Sequence, residues 1–365
     1  MIQAQPKLTY FSNLDAFRFL SFFGVFLSHT LLIPETTNIA IDFILSVITM
    51  NYLGVPFFFT LSSFLITYRL LKEKEKNNSI QLLRFYRNRI LRIWPAYFLL
   101  VAVCFLVLPF LSNLLHVQSP SLPSIIPFLF FYVNFYIIEN GSGFTFALLV
   151  LWSISIEEQF YLVWGLVLKF LSKVSVAPVI CSLFIISIGF SYYYLYILHK
   201  PAHNLAIHSL YVLQNFCTGA LIAFICVQKQ KAFIFLNTIP AAVLASVYVI
   251  LPLSYFFIKD IILLNVIKSI CYSLIIYDQS FNEKRFFNAG KIAFINYLGK
   301  ISYGLYLYHA LVFVVLQKQF RFFIAGSGPV IWTNLFHTAI AFIVTCVVAH
   351  ISYRYIESKF LSLKS

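Results

Sequence analysis

Apolar residues along this chain come in long runs separated by short polar segments. A membrane-spanning helix needs roughly 20 predominantly apolar residues. Ten runs meet that length, at about 13–33, 50–71, 88–111, 146–171, 177–198, 207–227, 237–258, 261–278, 295–316 and 330–354. A shorter run, 125–138, follows Pro120, Pro123 and Pro127 and is too short to cross comfortably. It reads as re-entrant, interfacial or an eleventh span. The longest polar stretch, Lys72–Gln81, is expected to be a loop. No linker rich in Gly, Ser or Pro and no internal repeat interrupts the pattern. The expectation is an all-α membrane protein of about ten transmembrane helices in a single bundle, one domain over residues 1–365.

Charge placement orients the bundle, because Lys and Arg concentrate in cytoplasmic loops. With the N-terminus inside and 125–138 not crossing, the inner segments hold Lys72, Lys74, Lys76, Arg84, Arg87, Arg89, Arg92, Lys169, Lys173, Lys229, Lys231, Lys284, Arg285, Lys291, Arg354, Lys359 and Lys364. The outer loops hold only Lys200, Lys259, Lys318 and Arg321. Were 125–138 to cross, every later loop would change sides and the bias would vanish. Both ends are therefore expected in the cytoplasm. The first run contains Asp15, Arg18 and His29, which a cleavable signal peptide would not, so it reads as a retained helix.

Composition agrees with lipid as the solvent. Of 365 residues 61% are hydrophobic and only 10% charged, with mean hydropathy +0.87; a soluble domain carries about a quarter charged residues. The net charge of +14 would suggest nucleic acid in a soluble chain. Here the positive-inside pattern accounts for it, and no nucleic-acid partner is expected. The six cysteines all lie in apolar runs without close pairs and read as small buried hydrophobes.

Ionisable groups inside spans are costly and by default functional. In the first span Arg18 and His29 are 11 residues apart, close to three helical turns, so they share a face. Asp15 is one turn before Arg18 and can pair with it. The plain alternative is that Arg18 snorkels to the inner headgroups while His29 caps the outer end. In the fourth span Ser153, Glu157 and Tyr161 recur every four residues, with Glu158 pointing about 100° away. An ionised carboxylate there must be protonated, paired or in a wet cavity. The alternative for Glu158 is simple pairing with an arginine from another helix. In the ninth span Ser302, Tyr306 and His309 share a face. Residues 84–92 carry Arg84, Arg87, Arg89 and Arg92 without a lysine. They are either a positive-inside anchor or, because guanidinium suits bidentate phosphate contacts, the site of a cytoplasmic phosphorylated donor. His116, His199, His203, His208 and His337 fall in or near outer segments, where surface roles are expected, and His350 reads as a satisfied core residue. No metal-ligand spacing, Gly-rich phosphate loop or G-x-S-x-G elbow is present.

These residues, in this order, resemble the acyltransferase 3 family of bacterial membrane acyltransferases. Six segments carry the resemblance: Leu14-Asp15 with Arg18 and His29; Gly54-Val55, Phe57-Phe58 and 61–65; 85–89 with Arg92-Ile93 and Pro95; 151–161; Gly299, Ser302-Tyr303 and His309; and Ser352-Tyr353 with Ile356-Glu357. The resemblance implies ten spans, an acyl-CoA donor, acetyl-CoA first, on the cytoplasmic side of a bacterial inner membrane, and no tightly bound cofactor or metal. It implies an acceptor among O-antigen, exopolysaccharide, peptidoglycan or a lipid-linked oligosaccharide, and essential roles for Arg18, His29, Arg87, Arg89 and Glu157. Three positions depart from the family pattern. Ser63 stands where glycine is usual, which puts close backbone approach at that point in doubt. Ser21 replaces alanine, and Lys359 stands where proline is common.

A hydroxyl attacking a thioester needs a base, and His29 is the candidate, since imidazole titrates near neutrality. Arg18, Tyr306 or Ser153 would donate to the oxygen as charge develops. Arg87, Arg89 and Arg92 would bind the donor, and Asp15, Ser153, Glu158, Ser302, Tyr306 and His309 would support the site. Direct transfer and an acyl-histidine intermediate both remain open, as do succinyl in place of acetyl and a small acceptor such as a macrolide. The rival reading from another class is a transporter or flippase of a glycan or organic acid.

Overall fold

The computed structural model describes residues 10–31, 38–50, 52–114, 116, 121–285, 287–324 and 330–364, without the side chains of Gln230 and of 317–332. Lys318, Arg321 and Pro120 thus lie outside the described side chains. Among the described residues there is no strand, and each of the ten expected runs is helical. Lipid cannot hydrogen-bond the backbone, so a helix, which pairs its own amides, is the form these runs must take.

They are not ten equivalent spans. Among the described residues seven helical stretches are long and apolar enough to cross a membrane, and two bent pairs bring the number to nine. The helix α1 (Ser12–Thr30) lies where the first span is expected, but Asn13, Asp15, Arg18 and His29 make it too polar to join that count. It is largely buried inside the bundle rather than facing lipid. A short apolar helix, α2 (Ile39–Ile48), follows, and then α3 (Gly54–Asn77).

The polar stretch expected as a loop, Lys72–Gln81, is instead helical to Asn77, where left-handed Asn78 ends α3. Lys and Glu are good helix formers. The extension is also tied down from outside: Lys74 Nζ donates to the carbonyls of Leu168, Lys169 and Leu171, at 2.7, 2.9 and 2.7 Å. Those carbonyls are the unpaired C-terminal acceptors of a neighbouring helix. Next come α4 (Leu82–Ala102), a π-helical turn, and α5 (Leu108–Leu114).

The run at 125–138 does not cross. It forms α6 (Ile126–Leu129) and α7 (Val133–Asn140), broken at Phe131, whose φ is 54°. Eight helical residues rise only about 12 Å. Polar bonds pin the segment: Gln159 Nε2 donates to Phe131 O at 2.8 Å, and Asn134 Nδ2 to Ser209 Oγ at 3.0 Å. One turn, α8 (Phe146–Leu149), leads into α9 (Trp152–Phe170), and α10 (Val176–Tyr192) and α11 (Ala202–Ala206) into α12 (Ser209–Gln228).

The seventh run bends by 81° between α13 (Gln230–Thr238) and α14 (Ala241–Phe257). Pro240 stands at that break, where it cannot continue a helix. After α15 (Ile261–Phe281), the ninth run bends by 73° at Ile301, between α16 (Ala293–Lys300) and α17 (Ser302–Ile324). Finally α18 (Val330–Ser352) passes through a π-helical turn into α19 (Ser358–Ser362).

Two glycines set helix spacing around the site. A Cβ on Gly299 would lie 1.9 Å from Asp15 O, so α16 packs directly on the backbone of α1. A Cβ on Gly219 would lie 2.1 Å from Thr60 O, so α12 approaches α3 equally closely. The close approach that Ser63 put in doubt is therefore made, with the glycine on the facing helix. Ser63 itself is buried and donates to Phe216 O across that contact at 2.6 Å.

Candidate active site

Five helices, α1, α3, α4, α9 and α17, supply the polar groups at the centre of the bundle. In the first turn of α1, Arg18 pairs with Asp15 at 2.5 Å, and Tyr10 also donates to Asp15. A carboxylate at that end of a helix is favoured by the helix dipole. The pair is therefore anchored at one end and leaves the guanidinium directed into the bundle.

The four-residue period of α9 places Ser153, Glu157 and Tyr161 on one inward face. Ser62 Oγ donates to Glu157 Oε1 at 2.9 Å and the Tyr161 hydroxyl to Oε2 at 3.0 Å, so both carboxylate oxygens are occupied by neutral donors. Arg89 lies 5.5 Å from the Tyr161 ring centre and 5.7 Å from that of Phe85. Glu158 points elsewhere. It accepts from Trp94 Nε1 at 3.1 Å, and its Oε1 is buried without a hydrogen-bond partner. Among the ion pairs of the described residues, none joins Glu158 to an arginine.

On α17 the bend at Ile301 aims Ser302, Tyr306 and His309 inward, all three buried. The Tyr306 and Ser153 hydroxyls are 2.6 Å apart, and each also reaches the Val150 carbonyl. His309 is fully buried. Its Nδ1 is 2.6 Å from Tyr306 O, and its Nε2 is 3.1 Å from His29 Nδ1. The two imidazoles, 280 residues apart in sequence, are thus directly bonded.

Two cavities organise these groups. The inner one, about 90 Å³, is walled by Arg18, Ser153, Glu157, Ser302 and Tyr306 among others. The outer one, a vestibule of about 420 Å³, is walled by Asp15, Arg18, Arg69, Lys300, Glu357 and Lys364 among others. Arg18, Ser62, Arg89 and Arg92 belong to both walls, so the cavities adjoin through a cationic neck. Of the residues singled out in the sequence, His29, His309, Glu158 and Arg87 line neither cavity. The histidine pair lies one helical turn past Tyr306, beyond the Ser153–Tyr306 bond. Arg87 is exposed on the other side of α4 from Arg89 and Arg92.

Several vestibule groups were not anticipated. Arg69 had a signal: Ser62, Leu65 and Arg69 follow the three-then-four spacing of one helix face. Glu357 lay inside a quoted motif, and a π-helical turn carries it inward. Lys364 had no signal. Burial first, then the positive charges of Arg92, Arg89 and Arg69, push its amine down to about 7. Tyr10 is pushed up, by burial and by its bond to Asp15. Elsewhere His337, expected at a surface, is buried, and His350, expected in the core, is exposed and bonded to Tyr297. Among the described residues no cluster of His, Cys, Asp or Glu could hold a metal ion.

The arrangement offers cations for an anion at the mouth, hydroxyls at the cavity end, and an imidazole pair behind them. A family model described as an acyltransferase domain matches residues 11–354 of the chain. The chain is 27% identical over 334 residues to the peptidoglycan O-acetyltransferase OatA of Listeria monocytogenes, covering 84% of this chain and 51% of that protein. It is 29% identical over 336 residues to the O-acetyltransferase OatA of Staphylococcus aureus, covering 84% of this chain and 52% of that one. The chain therefore spans about half the length of these relatives. No solved structure matches it.

Proposed function

The chain belongs to the acyltransferase 3 family, and we propose from this premise that it moves an acyl group, acetyl first, from cytoplasmic acyl-CoA to a hydroxyl of a cell-envelope glycan. Peptidoglycan is the first acceptor to test, because a relative carries that name. In this reading the protein is a multi-pass component of the bacterial cell membrane with both ends in the cytoplasm. The observation that carries the proposal is the cationic neck. Arg18, Arg89 and Arg92 stand where a vestibule large enough for polar groups narrows to a small inner cavity beside Tyr306 and Ser153.

The donor phosphates rest in the vestibule, where guanidinium groups can grip them in pairs. Arg89 and Arg92 serve there with Arg69, which takes the part first given to the exposed Arg87. The thioester reaches the inner cavity, whose volume suits a short acyl chain. The acceptor hydroxyl loses its proton to His29 as its oxygen adds to the thioester carbonyl. Arg18 and the Tyr306 and Ser153 hydroxyls donate to the oxygen on which charge grows. The C–S bond then breaks, and the proton passes from His29 to the leaving sulfur. Movement of the Ser153–Tyr306 pair joins the cavity to the histidines.

Reconstituted protein supplied with labelled acetyl-CoA on its basic side should release free CoA and acylate a peptidoglycan fragment. His29→Ala should abolish transfer while inserting normally; retained transfer would remove His29 from its role. The two bent helix pairs favour one second reading, since broken helices frame substrate sites in transporters. Glycan flux across vesicles with no acylated product would establish it.

A further inference from the structure

Two imidazoles bonded to each other cannot choose their protons independently, and here a third group makes the choice. A backbone carbonyl only accepts hydrogen bonds. Tyr306 O lies 2.6 Å from His309 Nδ1, so Nδ1 of His309 carries a proton. A neutral imidazole has one N–H, which leaves Nε2 of His309 as an acceptor. That atom is 3.1 Å from His29 Nδ1, so His29 must donate through Nδ1. His29 Nε2 is then bare.

We propose that His309 is a positioning residue: it locks His29 in the one neutral tautomer whose Nε2 can take a proton, and it shares the charge His29 then acquires. The inference rests on the reading of His29 as the base and adds how that base is set. When His29 Nε2 accepts the acceptor's proton, the new imidazolium still donates from Nδ1 to His309 Nε2. That proton can shift to His309 Nε2, while the proton on His309 Nδ1 stays there, donated to Tyr306 O. The transfer balances, and the charge is spread over two rings.

The surroundings fit this role. Phe146 meets His29 edge-on at 4.9 Å between ring centres, and Phe22 meets His309 at 5.9 Å. These contacts hold both rings in orientation. Among the described hydrogen bonds, no carboxylate reaches either ring. A carboxylate would set the tautomer equally well but would leave a resting charge in the apolar interior. A second imidazole sets it without one, which burial favours.

The test uses the full chain in nanodiscs, with wild type, His309→Gln, His309→Leu and, for assignment, His29→Gln. The glutamine carbonyl can accept from His29 Nδ1; leucine cannot. General-base catalysis contributes about 10²–10⁴-fold, and a wrong tautomer forfeits most of it. We expect His309→Leu to lose at least about 10²-fold in kcat with KM for acetyl-CoA unchanged, and His309→Gln to stay within about tenfold of wild type. Ring ¹⁵N NMR of labelled histidine should show Nε2 of His29 unprotonated in wild type and His309→Gln, and protonated in a large fraction of His309→Leu. Full activity in His309→Leu, loss of activity in His309→Gln equal to that in His309→Leu, or a protonated His29 Nε2 in wild type would each overturn the proposal. The NMR readout needs no turnover. A wild type that shows the expected tautomer but transfers no acyl group would therefore sink the enzymatic reading and leave only the tautomer lock standing.

Discussion

At the scale of single residues, the vestibule carries more cation than its carboxylates can balance. Arg18, Arg69, Arg89, Arg92, Lys300 and Lys364 share one wall system with Asp15 and Glu357. Like charges at such range repel, and in a site this enclosed the repulsion is not fully screened. An anionic ligand relieves it. Arg69 is the cleanest probe, being exposed into the vestibule and remote from the His29–His309 pair. Arg69→Ala should raise KM for acyl-CoA about tenfold, the effect of losing one charge-assisted contact, about 1.4 kcal/mol. It should leave kcat within about threefold and should not lower Tm, because the unliganded cluster loses a repulsive member. Steady-state kinetics and a melting curve read all three. A KM equal to wild type would place the donor elsewhere.

At the scale of elements, close contacts between backbones are the feature most exposed to a single change. Gly219→Ala would drive a Cβ to 2.1 Å from Thr60 O, so α3 and α12 must separate. Overpacking of this kind costs about 1–3 kcal/mol, and the expected result is a fall of a few degrees in Tm. Gly189→Ala, where a Cβ meets nothing within 4 Å, is the control and should not fall. Helix positions were legible in the sequence because runs such as 177–198 have no alternative in lipid. Their ends and breaks were less so. The tail of α3 reads as a loop by hydropathy, yet Lys74 fastens it to the end of α9. The bend at Ile301 has no proline to announce it; it lies two residues past Gly299, which packs on Asp15, a contact between segments far apart in sequence.

At the scale of the whole molecule, the site was legible where one helix face carried it and obscure where distant segments converge. Ser153 and Glu157 announce themselves by period. The bond between His29 and His309, and the meeting of Lys364 with Arg69 and Arg92, depend on how the bundle closes. Lys364 makes that closure measurable. Its amine sits near pH 7 when folded, against 10.5 for an unperturbed lysine. The unfolded chain therefore binds more protons between those values, and this residue's contribution to stability rises with pH from about 7 to 10.5. Anion binding follows the opposite sign. As pH falls from 8 to 6 the vestibule gains a positive charge, so acyl-CoA should bind more tightly. Asp15, Glu357, Tyr10 and Lys300 face the same space, and Tyr10, pushed up, stays neutral in that window. One charge at partly screened range is worth about 1 kcal/mol, so KM for acyl-CoA should drop roughly fivefold between pH 8 and pH 6. Glu357 shares that wall, which makes the comparison with Lys364→Met decisive. That variant should keep the pH profile of kcat and make that of KM shallower. An unchanged KM profile in Lys364→Met would mean that the far end of the chain does not close over the donor.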